Sequence, residues 1–88
     1  MNRNKATNLI KEIANACDGL GEEGIMLMPP NADNVLSYGY QLHIKSSYSQ
    51  QHLDCIQSIV QKHNLALTIE KQKGLIIIYM PREKTTET

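Results

Sequence analysis

At 88 residues the chain has room for one domain, and a chain of that size hides only about 60–65% of the surface its unfolded form exposes. Apolar residues make up 41% of it, with no Phe and no Trp, so the core must be built from Ile, Leu, Val, Met and four Tyr. Nine basic residues balance nine acidic ones, which argues against phosphate-driven nucleic-acid binding and against docking on an anionic membrane, while leaving room for a local basic patch.

Residues 4 to 18 have the spacing of an amphipathic helix. Ala6, Leu9, Ile10, Ile13, Ala14 and Cys17 recur at steps of three and four, and Lys5, Asn8, Lys11, Glu12, Asn15 and Asp18 fill the other side. Asn4 is the expected N-cap. Gly19 suits the left-handed position that ends a helix. Gly19-Leu20-Gly21-Glu22-Glu23-Gly24 matches G-x-G-x-x-G letter for letter. A dinucleotide fingerprint needs a strand before it and a helix after it, so that phosphate meets a helix N-terminus. Here the order is reversed, and Glu22 and Glu23 would repel the phosphate. The segment reads as a helix-to-strand connection.

Gly24 to Met28 reads as a short apolar strand, stopped by Pro29-Pro30 because neither proline can donate to a ladder. Asn31-Ala32-Asp33-Asn34 supplies turn chemistry. A return strand is expected over Val35 to Lys45. Its alternation points Leu36, Tyr38, Tyr40, Leu42 and Ile44 to the core, and Val35, Ser37, Gly39, Gln41, His43 and Lys45 the other way. Gly39 in a strand interior suggests a bulge or a close backbone approach.

A second helix is expected over Gln50 to His63, with Ser49 as N-cap, a Tyr48–Leu53 staple, and Leu53, Ile56, Ile59 and Val60 as its buried stripe. Asn64 suits a left-handed C′ position that folds Leu65 back onto Val60. Leu65 to Met80 then reads as a hairpin turning at Gln72-Lys73-Gly74. Its second half, from Leu75 to Met80, is the most apolar run in the chain. From Pro81 to Thr88 a disordered polar tail is expected, so residues 1–80 are the domain.

The element order α-β-β-α-β-β implies an α+β two-layer sandwich: a four-stranded, mainly antiparallel sheet with two helices on one face. It is the order obtained by moving the first strand of the ferredoxin-like plan, β-α-β-β-α-β, to the end. That permutation places the second and fourth strands in the middle and the first and third at the edges. The all-apolar fourth strand agrees, as does the third with Thr68, Glu70 and Lys71. A plain meander is the competing topology.

Two helices can cover one face of such a sheet. One of the sets Leu75/Ile77/Tyr79 and Ile76/Ile78/Met80 must therefore face away from them, beside Val35, and exposed apolar patches of that kind mark interaction surfaces. The expected surface draws on Ile76, Ile77, Ile78, Tyr79, Gln41 and His43. The expected partner is a second copy in a symmetric dimer, or another protein. Nucleic-acid binding and small-ligand sensing are the alternatives. Tyr79, Gln41, His43 and Lys45 are all that the open face offers to RNA, and the RNP signature is absent.

No catalytic residue, cofactor or metal is assigned. His52 and Cys55, three apart on one helix, lack two further ligands in compact spacing for a closed zinc site, and a Cys55–His52 nucleophile lacks an oxyanion hole. The chain shows neither a signal-peptide pattern nor about 18 consecutive apolar residues. A cytoplasmic, non-enzymatic protein with Cys17 and Cys55 as free thiols is the expectation.

Overall fold

The first helix, α1, spans Arg3–Ala16 and starts earlier than Asn4 capping would allow. Asn2 is the cap: its side-chain oxygen accepts the Lys5 N–H at 2.7 Å. The cause lies outside the helix, in Met1, which is buried and held by the sheet. The computed structural model describes residues 1–17, 19–30, 37–45 and 50–81, with the side chains of 37 and 38 excepted. The expected staple and cap at Tyr48 and Ser49, the strand start at Val35 and Leu36, the turn at 31–34 and the tail from Arg82 lie outside these residues.

After α1, Gly19 takes φ +84°, as a helix-ending glycine should. Glu22–Gly24 form a single 3₁₀ turn leading into β1, Ile25–Met28. The G-x-G-x-x-G segment therefore follows a helix and precedes a strand, the wrong polarity for a phosphate cradle. Strand β2 covers Ser37–Lys45, and helix α2 covers Gln50–Lys62. Asn64 closes α2 at φ +57°. Its N–H donates to the Gln61 carbonyl at 3.1 Å, and the Leu65 N–H donates to that of Val60 at 2.9 Å, so two end carbonyls of the helix are satisfied. Strands β3, Ala66–Glu70, and β4, Leu75–Pro81, form the closing hairpin. Gly74 supplies the positive φ in its turn. β4 takes in Pro81, one residue of the stretch expected to be tail.

The four strands form one antiparallel sheet in the order β1-β2-β4-β3. A meander would place β3 beside β2; instead β4 lies between them. The apolar β4 and the long β2 are central, as the permuted element order requires.

Register explains the layering. Ile25, Ile44, Ile76 and Ile69 lie in one row across the sheet, and Leu27, Leu42, Ile78 and Leu67 in another. Leu42, Ile44, Ile76 and Ile78 have no exposed surface. They share one core with Ala6, Leu9, Ile13 and Cys17 of the α1 side and Ile56, Ile59 and Val60 of α2. Both helices therefore lie on this face, and each fully buried Ile or Leu contributes about 1.5–3 kcal/mol through burial.

Between β2 and β4 the register skips. Tyr38 pairs with Met80, but Gln41 pairs with Tyr79, so Gly39 and Tyr40 are two extra residues. An even insertion preserves the phase of alternation, which is why Leu42 and Ile44 still face the core. The insertion exposes a main-chain donor that Met1 uses: the Tyr40 N–H donates to the Met1 carbonyl at 2.8 Å. Gly39, at φ +75°, lets that backbone approach, because a Cβ there would run into the Met1 carbonyl oxygen.

Cys17 and Cys55 are joined in a disulfide, which overturns the expectation of two free thiols. Each cysteine sits on the inward side of its helix. The sheet brings the C-terminal end of α1 to the middle of α2, with a Cα–Cα distance of 5.9 Å.

Candidate functional site

The sheet face opposite the helices is the candidate interaction surface. Strand alternation builds it in three rows. Met28, Gln41, Tyr79 and Ala66 form the first. Met26, His43, Ile77 and Thr68 form the second. Lys45, Leu75 and Glu70 form the third, with Leu75 between the two charges. The centre is apolar along β4, where Leu75, Ile77 and Tyr79 are half-buried. Met26 on edge strand β1 is the most open large apolar side chain among the described residues, at 41% exposure. Lys45, Thr68 and Glu70 are exposed and make a polar border.

Of the residues expected on this surface, Ile77, Tyr79, Gln41 and His43 are on it. Ile76 and Ile78 are not: both are fully buried against the helices. In a run of like apolar residues, composition is identical on the two faces, so only pairing with Ile44 and Leu42 decides which set is inward. Met26, Met28, Leu75, Lys45 and Glu70 complete the surface. The β4 alternation already groups Leu75 with Ile77 and Tyr79, whereas nothing in the short Ile-Met-Leu-Met strand distinguishes its two sides.

His43 and Gln41, two apart on β2, share a side-chain hydrogen bond of 3.0 Å between Nε2 and Oε1. Partial burial holds the His43 imidazole below its ordinary range, and the Lys73 charge adds to the effect. At neutral pH His43 is therefore an uncharged polar group in the middle of the face.

A second polar cluster sits between the helices. Glu12 on α1 accepts from Lys62 Nζ at 2.9 Å through Oε2 and contacts His63 Nε2 at 2.8 Å through Oε1. The Lys62 and then the His63 hydrogen bond hold its carboxyl below the ordinary range. A groove of about 340 Å³, lined by Asn2, Asn4, Lys5, Asn8, Leu9 and His63, opens beside it. Both Glu12 oxygens are engaged, so the cluster works as a clamp between α1 and α2.

The Cys55 sulfur is in the disulfide, which removes the thiolate that both the metal reading and the nucleophile reading of His52 and Cys55 need. Among the described residues no three His, Cys, Asp or Glu side chains come together as a metal site.

Fold and surface together define a two-layer α+β domain that carries an apolar sheet face with a charged border. No family model, no curated protein and no solved structure matches the chain.

Proposed function

We propose that the protein is a non-enzymatic self-association module that forms a homodimer through its open sheet face. The observation that supports this is the column Leu75-Ile77-Tyr79, set on the side of the sheet away from both helices and extended by Met26 and Met28. A partner's sheet would remove that apolar area from water. Light scattering over a concentration series reaching the high-micromolar range approaches twice the chain mass, and Ile77→Lys, which places a charge on the open side of β4, stays monomeric throughout with an unchanged circular dichroism spectrum. A wild-type monomer would overturn the reading.

A second reading, nucleic-acid binding, draws on Tyr79 and His43 as neighbours on the face with Lys45 at its border. Salt-sensitive retention on a polyanion resin is its signature. Nothing singles out a small ligand.

Among the described residues no helix is long and apolar enough to cross a membrane. A cytoplasmic location goes with free thiols, and the Cys17–Cys55 bond counts against it, since disulfides persist mainly in oxidising compartments. Rapid alkylation at lysis checks the point. Cytoplasmic residence leaves a reducible fraction open, whereas a fully bonded pair places the protein in an oxidising compartment.

A further inference from the structure

The open face carries a charge pattern that complements itself, and we infer that the dimer twofold runs along β4. This rests on the self-association reading above and adds the pairing. In the third row Lys45 on β2 and Glu70 on β3 are exposed on either side of Leu75, at the same height along the strands. A twofold axis parallel to β4, lying between two stacked sheets, exchanges left and right and keeps height. It therefore sets β2 of one copy over β3 of the other. Lys45 then faces Glu70 of the second copy, and Glu70 faces its Lys45, so two ion pairs form from one contact. His43 falls opposite Thr68, Gln41 opposite Ala66, and Leu75, Ile77 and Tyr79 each meet their own counterparts. Sheets stack about 10 Å apart, a gap that Lys and Glu side chains together can span.

A second symmetric arrangement with the axis along the strands puts it between β2 and β4. It covers all four strands, but it sets Lys45 over Leu75 of the second copy and displaces Glu70 by one strand from the Lys45 it would pair with. Covering an unpaired charge with an apolar side chain is costly, whereas opposite charges at a border fix register and suppress wrong pairings. The charge pattern therefore selects the β4 axis. About the β4 axis three strands about 4.8 Å apart and three rows about 7 Å apart overlap, a contact of roughly 300 Å² that leaves β1 with Met26 and Met28 outside it. That is small beside a standard interface of about 800 Å² per partner, so the dimer dissociates in the micromolar range or above.

The experiment is a charge swap read by sedimentation equilibrium at low salt. Lys45→Glu alone places Glu against Glu70 twice, and Glu70→Lys alone places Lys against Lys45 twice. Each variant should raise the dimer dissociation constant about tenfold or more. An equimolar mixture of the two should recover wild-type association as a heterodimer, because both contacts become attractive again. Circular dichroism and thermal melting confirm that each variant is folded. If both variants dimerise as wild type does, or the mixture is no stronger than its components, the β4 axis is wrong. The Ile77→Lys variant then separates the two claims: its monomeric state leaves self-association through this face standing without the pairing. A wild-type protein that is monomeric throughout overturns both.

Discussion

Cys17 and Cys55, 38 residues apart, are covalently joined at the point where the end of α1 meets α2. A crosslink over a loop of that length lowers the entropy of the unfolded chain, an effect of about 4 kcal/mol in the loop-closure model. For a domain with so small a core this is a large share of a total stability that is typically 5–15 kcal/mol. Cys17→Ala with Cys55→Ala should lower the unfolding free energy by about 2–4 kcal/mol in urea titrations, and reductant should have a similar effect on wild type but none on the double variant.

Gly39 is held at φ +75° with the Met1 carbonyl where its Cβ would be. Gly39→Ala should cost about 2–4 kcal/mol, from left-handed strain together with loss of the Met1–Tyr40 hydrogen bond. Gly74, at φ +63°, has open space at its Cβ position. Gly74→Ala should therefore show only the strain, about 1–2 kcal/mol. Denaturant midpoints of the two variants, compared side by side, measure what Met1 adds.

Glu12 is clamped by Lys62 and His63, and its carboxyl titrates below its ordinary value of 4.5. The unfolded chain takes up that proton at higher pH than the folded one. The contribution is therefore complete above about pH 4.5 and is lost as pH falls through the lower folded value. Glu12→Gln should flatten that part of the stability–pH curve and leave the rest of the acid limb in place, as read by thermal melting from pH 2 to 7.

His43 behaves in the same sense at higher pH. Burial and Lys73 lower its folded pKa from 6.5, so the unfolded state binds the proton first as the solution is acidified. Stability falls as pH drops from about 6.5 to the folded value and then levels off. His43→Gln, which keeps a polar side chain beside Gln41, should remove that slope. A variant with the wild-type slope would show that another group titrates there.

Ile76 and Ile77 are adjacent in β4 and opposite in consequence. Ile76 has no exposed surface, and Ile76→Ala should cost about 2–5 kcal/mol through lost burial and the cavity left behind. Ile77→Ala, on the open face, should cost under about 1 kcal/mol in the monomer. Guanidinium melts at submicromolar concentration distinguish them without contribution from association.

Much of the fold is legible in the residues because it depends on local periodicity. The three- and four-residue stripes of α1 and α2, the Asn64 and Gly74 turns, and the apolar run of β4 are statements about near neighbours, while element order and the charge content of β3 favoured the observed strand order over a meander without deciding it. The α1 cap moved from Asn4 to Asn2 because Met1 is anchored by a strand some 40 positions away. The candidate surface was half legible: Gln41, His43, Ile77 and Tyr79 lie on it, while Ile76 and Ile78 do not.

By itself, then, the sequence determined the α+β class, both helices and the existence of a sheet face that two helices cannot cover, while the central position of β4 was one of two topologies it allowed. Tertiary structure alone decided which side of β4 that face is, that Cys17 meets Cys55, and that Lys45 and Glu70 flank Leu75. The physical reason is common to all three. Each depends on at least one pairing between segments distant in the chain, the β2–β4 register or the α1–α2 contact, and in an all-apolar strand or a lone cysteine the local pattern is the same whichever pairing forms.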